Sequence, residues 1–232
     1  MIRRAAALLV CLVVAGCGGD AEQRGTAELW ITRDRGSEVL RTATTAAGIS
    51  AMEALDRVAE VETRYGGRYV QGIDGLEGSL TGRRDWFYFV NGYEGDRSAA
   101  DYQLHDGDVL WFDYRRWERP GEARLVVGAF PEPFLHGYAG RRRHAAVRFL
   151  PGLEQTARAV GKVVRADSVE PASVAAPAGA NILYVRPGAG ELSAAFCEGG
   201  SAGDPVCFTA LGVAARLARQ PALLRFRYEA RG

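Results

Sequence analysis

The sequence lacks a surplus of charge of either sign: over 232 residues, 29 basic side chains face 28 acidic ones, for a net charge of +1. A near-neutral chain has no electrostatic reason to hold nucleic acid. Lysine is almost absent, and Lys162 is the single one, so the basic residues are otherwise arginine. There are three histidines (His105, His136 and His144) and four cysteines, and none of them forms the His/Cys quartet that a zinc site needs. The sequence has no G-x-S-x-G, H-E-x-x-H, G-x-G-x-x-G or phosphate-binding glycine loop, so no motif supports an enzyme. Glu132 with Glu154, or Asp106 with Asp108, would be paired carboxylates with no supporting pattern. Leu104 to Asp108 (LHDGD) offers fewer oxygens than calcium requires, and a tight turn accounts for it. There is no internal repeat, and the apolar run Ala5 to Val14 is too short to span a bilayer as a mature helix.

What is present is an ordinary globular composition, 47% hydrophobic and 25% charged. Arg3 and Arg4 precede the apolar run, which ends in VAGC, Val14 to Cys17. This order resembles a bacterial lipoprotein signal, in which a signal peptide (1–16) is cut and Cys17 receives lipid, palmitate included. A plain secretory signal or an uncleaved anchor are the alternatives. The resemblance implies an extracytoplasmic protein held on the cell membrane, with the lipid bilayer as partner. In that oxidising setting Cys197 and Cys207 form an even pair flanking a Gly-, Ser- and Pro-containing loop, which predicts a disulfide; two free thiols are the alternative.

Residues 17–25 read as a tether. Ala27 to Asp34 alternates as a strand, turns at Arg35 to Ser37, and returns as Glu38 to Ala46. Ser50 with Glu53 forms a capping box, and the apolar spacing predicts a helix from Ser50 to Val61. Strands follow in Arg68 to Gly75, Trp86 to Val90 and Val109 to Trp117, and Pro120-Gly121 marks a boundary. The second unit, 123–232, reads as a strand in ARLVVGAF, a helix over Leu153 to Val164, strands in NILYVRP and ELSAAFCE, a helix over Phe208 to Gln220 and a last strand in PALLRFRYEA. The expected class is α+β: a first domain over 26–117, then a smaller α+β domain whose strand–helix–strand–strand–helix–strand order matches the ferredoxin-like plan.

From Ala27 to Tyr114 the chain resembles the C-terminal domain of transcobalamin and intrinsic factor and the bacterial family of unknown function grouped with it. The resemblance is carried by AMEALDRV, YVQGIDG, DWFYFVNG and ADYQLHDGDVLWFDY. RSAADY departs from the pattern, where a glycine often precedes the A-D-Y element. The resemblance implies a β-grasp sheet and a cobalamin-like ligand, bound in support of a membrane transporter.

Strand parity suggests how such a ligand would be met. Leu29, Ile31, Leu110, Phe112 and Tyr114 suit a helix-covered face, which sends Trp30 and Trp111 outward. Phe87 and Phe89 suit the core, so Trp86 and Tyr88, with their polar tips, are placed outward too. Trp30, Trp86, Tyr88 and Trp111 would then form an aromatic patch, with Asn91 addressing amide groups of a corrin ring. His136 is the better candidate for a cobalt ligand, although a surface-loop histidine is the commoner case. Arg141 to His144 would be a solvated loop or meet anionic lipid headgroups. An exposed patch of that size must be covered, by the second unit, by a ligand, or by a protein partner; in the last case the chain is a cell-surface interaction or adhesion module.

Overall fold

The computed structural model describes residues 25–119 and 122–229. The signal segment, Cys17 and the tether up to residue 24 lie outside the described residues. The class is α+β, with three sheets and short helices.

The first sheet runs β2-β1-β8-β6-β7, with β1 (Thr26–Arg33), β2 (Glu38–Ala46), β6 (Arg84–Val90), β7 (Tyr93–Glu94) and β8 (Val109–Arg116). β1 and β8 pair in parallel at its centre, with Trp30 opposite Trp111 and Ile31 opposite Phe112. β2 and β6 flank them antiparallel. The helix α1 (Ala51–Asp56) is shorter than its sequence pattern. Its cap forms as expected, the Glu53 amide donating to Ser50 Oγ over 3.0 Å, but the chain leaves the helix and enters β3 (Val61–Arg64). Asp74 draws it away by accepting from the Glu60 amide at 2.9 Å. α1 buries Ala51, Ala54 and Leu55 in one apolar cluster with Leu29, Ile31, Leu110 and Phe112, the helix-on-sheet arrangement of the β-grasp plan. β3, β4 (Tyr69–Ile73) and β5 (Leu76–Glu77) make a small side sheet.

The second unit departs from the ferredoxin-like order. It runs β9 (Ala145–Phe149), α2 (Glu154–Val163), β10 (Ser168–Pro171), β11 (Asn181–Phe196), β12 (Val206–Gly212), α3 (Ala214–Arg219) and a 3-10 turn, Pro221–Leu224. β9 is buried on both faces, which removes the alternation that would have announced it. Phe208 begins no helix: Val206, Phe208 and Ala210 alternate inward along β12, and α3 starts only after Gly212. Among the described residues, ARLVVGAF and PALLRFRYEA form no strands. The amides of Val126 and Val127 reach the carbonyls of Gly92 and Tyr228 instead of a ladder.

β11 is a doubled segment. From Ile182 to Arg186 its partners on β12 advance from Cys207 to Leu211, so this half runs alongside β12 in the same direction. From Glu191 to Phe196 the partners retreat from Gly212 to Val206, so the second half runs against it. The turn at 187–190 therefore carries the chain across β12, which sits between the two halves. β9 pairs in parallel with both β10 and the first half of β11, and α2 and α3 pack on each other over the sheet. Buried side chains of both units, from Leu29 to Phe208 and Leu224, belong to one contiguous cluster.

Candidate functional site

The two faces of the first sheet carry different aromatic sets. On the outer face, away from α1, Trp30, Phe89 and Trp111 pack with Val126 and Tyr228, and Phe87 and Phe226 lie against them. Ring centroids are 5.8 Å apart for Trp30–Trp111, 4.8 Å for Trp30–Phe226 and 5.2 Å for Trp111–Tyr228. The Trp111 indole N–H donates to Thr32 Oγ1 at 2.7 Å, and that hydroxyl donates to Asp113 at 2.5 Å. The outer face is thus covered by the segment after the 3-10 turn together with residues 123–126.

Trp86 and Tyr88 are not on that face. Opposed residues of an antiparallel pair share a side, and Trp86 faces Tyr114 while Tyr88 faces Phe112. Both belong with the α1 side, and Phe87 and Phe89 point outward, the reverse of the sequence reading. The polar tips gave no guidance because each finds a carbonyl under the covering loops. The Trp86 indole donates to Leu76 O at 2.7 Å, and the Tyr88 hydroxyl donates to Arg97 O at 2.6 Å. These two rings border a small cleft of about 200 Å³ with Tyr69 and Phe112.

Asn91 is fully buried and committed to structure. Its amide N–H groups donate to Asp108 at 2.7 Å and to Gly137 O at 2.8 Å, and its oxygen accepts from the Val109 amide at 2.8 Å. Burial raises the Asp108 carboxyl above its ordinary range, while the bonds from the His105 amide and Asn91 oppose that rise. Trp111 is also fully buried. The five residues expected to form one patch are therefore divided among an outer core, an inner core and a polar network.

A cleft of about 490 Å³ opens where the start of β1 meets residues 128–136 and the 3-10 turn. Trp30 forms part of its wall, its indole N–H donating to Glu28 at 2.9 Å. The Arg225 guanidinium lies 4.7 Å from the Trp30 ring and ion-pairs with Glu28. On the other wall Glu132, almost fully buried, accepts from the His136 amide at 3.0 Å and lies 2.6 Å from His136 Nδ1. The hydrogen bond to Glu132 raises the His136 pKa, burial opposing it. In the neutral ring Nδ1–H points to the carboxylate and Nε2 is left as an electron-pair donor, the arrangement that orients a metal-binding imidazole. Gly107 lets the ring lie close: a Cβ there would sit 2.4 Å from Nε2.

The remaining candidates lie apart from this cleft. His105 Nδ1 is 3.7 Å from Asp108, and exposed His144 is 3.6 Å from Asp167. Glu154 pairs with Arg158 on α2 and Asp106 accepts from the Thr26 amide, so neither is placed as half of an acid–base pair. Cys197 and Cys207 are joined by a disulfide with an S–S distance of 2.05 Å. No group of three or more His, Cys, Asp or Glu among the described residues could hold a metal ion, and no described helix is long and apolar enough to cross a membrane. Glu28 shares the parity of Trp30 and was legible as its neighbour; Arg225, 197 residues further on, had no sequence signal.

Comparison with known proteins gives a match over residues 48–116 to a domain of unknown function, DUF4430. No curated protein matches. Among solved structures, haptocorrin in complex with Cbi is similar at 17% identity and a TM-score of 0.34, over 41% of this chain and 26% of that one. A Ruminococcus gnavus protein described as a candidate metal binder is similar at 11% identity and a TM-score of 0.34, over 40% of this chain and 99% of that one. The chain thus spans about a quarter of the haptocorrin chain, and its likeness to the domain of unknown function is confined to residues 48–116.

Proposed function

We propose that this is an extracytoplasmic, lipid-anchored binding protein, not an enzyme, that holds a small corrinoid-like ligand for a membrane transporter. The observation that carries the reading is the cleft whose lining includes both Trp30 and His136, whose Nδ1 is fixed by Glu132. Its volume of about 490 Å³ lies in the range of small-molecule sites. A corrin ring offers an apolar face to Trp30 and a cobalt ion to His136 Nε2. The resemblance of residues 27–114 to the transcobalamin C-terminal domain supports the choice of ligand class, and the signal-like order ending at Cys17 supports the anchor.

The test is a titration of the full chain in detergent with aquocobinamide, whose cobalt carries exchangeable water. We expect saturable quenching of tryptophan emission and a shift of the corrin absorption band. His136→Ala should lose the band shift and keep part of the quenching, and Trp30→Ala should weaken binding. No change up to about 100 μM ligand, or binding weaker than about −5.5 kcal/mol, rules the reading out.

A second reading, docking of a protein strand, is favoured by the outer edge of the first sheet. β2 ends that sheet, and Val39 and Leu40 on it are 44% and 43% exposed. An added strand would pair there through main-chain hydrogen bonds.

A further inference from the structure

The arginine cluster at Arg141 to Arg143 belongs to neither the fold's core nor the Trp30 cleft. It borders a separate cleft of about 430 Å³, whose charged wall consists of Arg97, Arg141, Arg142 and Arg143 against Asp96 and Asp204. In a chain whose total charge is +1, four guanidinium groups against two carboxylates is a local excess of positive charge in a concave site, where field lines concentrate.

The partners of these groups determine what is left over. Asp96 is taken up by Arg97, which reaches both its oxygens at 2.7 and 3.0 Å, and by the Tyr138 hydroxyl at 2.7 Å. Asp204 is held by the amides of Gly200 and Ser201, both at 2.9 Å; these bonds, with Arg143 nearby, keep its carboxyl below the usual range. Arg143 is anchored by uncharged acceptors, donating to Gly203 O at 2.6 Å and Gly179 O at 3.2 Å. Arg142 donates to the carbonyls of Phe134 at 3.0 Å and Arg165 at 2.6 Å, with Asp167 further off at 3.4 Å. Carbonyl oxygens fix the direction of the Arg143 guanidinium and leave its charge in place, whereas Arg142 is also ion-paired with Asp167. Arg141 is exposed and its side chain has no partner among the described residues.

The wall opposite Arg97 is held rigidly. Gly203 and Asp204 lie in the loop closed by the Cys197–Cys207 disulfide, and the Tyr93 hydroxyl donates to Asp204 O at 2.8 Å. The cleft therefore has oriented donors, excess positive charge and a floor of small residues, Ala139, Ala202 and Gly203. Guanidinium forks match the tetrahedral oxygens of phosphate, where two N–H groups bind together. We propose that this cleft binds a phosphoryl group carrying more than one negative charge, independently of the ligand assigned to the Trp30 cleft.

The experiment is isothermal titration of the full chain in detergent with sodium pyrophosphate, repeated with Arg141→Glu. Arg141 contributes no side-chain contact to the fold, so this variant should fold as the parent does. The expected result is saturable binding that falls at least about tenfold in the variant. It should also fall as ionic strength rises from about 0.1 M to about 1 M, where the screening length shrinks from about 10 Å to about 3 Å. Co-sedimentation with phosphatidic acid vesicles, whose phosphomonoester can carry a second negative charge, separates the two sources of the group. Vesicle binding displaced by pyrophosphate assigns the cleft to a lipid phosphate; pyrophosphate binding with no competing vesicle binding assigns it to a soluble phosphate. No saturable heat up to about 10 mM pyrophosphate, or equal affinity in Arg141→Glu, overturns the proposal.

Discussion

At the scale of the residue, Asn91 shows how a side chain can look like a recognition group and serve as a structural junction. It follows the aromatic run of β6 in a left-handed conformation with φ 51°, where asparagine is better tolerated than most residues. Removing its amide in Asn91→Ala would strand the Val109 amide and the Gly137 carbonyl and take a donor from Asp108. Each buried group left unpaired costs about 1–3 kcal/mol, so we expect a loss of about 3 kcal/mol in denaturant unfolding. The loss should depend on pH. The Asp108 carboxyl already lies above its ordinary range in the folded protein, so ionising it costs folded-state stability as pH rises through that window. Asn91 favours the ionised form, and its removal should therefore cost more near pH 7 than near pH 4. A loss independent of pH would mean that Asn91 acts by packing alone.

Among the elements, legibility in the sequence followed burial geometry. β1 and β8 were readable because Leu29 and Ile31, and Leu110, Phe112 and Tyr114, alternate with a second set of side chains, and β2 because a tight turn leads into it from β1. The Ser50–Glu53 cap was readable because its physics is local. The parity of β6 was not, since it has aromatic residues on both faces and only its register with β8 decides which side each takes. β12 looked helical because Ala-rich sequence satisfies either period over a few residues; its place between the two halves of β11 is a long-range fact. The same limit hid the Trp30 cleft. Trp30 and His136 could each be singled out, but the walls that join them come from residues 128–136 and from Arg225. The Cys197–Cys207 loop gives a test at this scale. Replacing both cysteines by serine should cost about 2–4 kcal/mol through the freed unfolded chain. It should also weaken pyrophosphate binding, because Gly203 O, which orients Arg143, lies in that loop. Unchanged pyrophosphate affinity in the serine variant would separate the loop from the cleft.

For the whole molecule, the outer aromatic face adds a second contact between the two units beside their shared core. The segment Arg225 to Tyr228 lies on it, and close approach is possible because Gly128 has no side chain: a Cβ there would stand 2.6 Å from both the N and O of Arg227. Gly128→Ala should push that segment off the sheet. We expect a cost of about 1–3 kcal/mol, the range for forcing an extra methyl into a packed site, with a red shift of tryptophan emission from Trp30 and Trp111. Emission unchanged from the parent would show that the cover yields elsewhere. The cover also sets a clock on synthesis. Arg225 is made 197 residues after the Glu28 it pairs with, and at about 5–20 residues per second that is a delay of about 10–40 s. Through the later part of that interval the indoles of β1 and β8 have only residues 123–126 to cover them from their own chain, so a nascent copy keeps part of its aromatic face open until the last segment arrives.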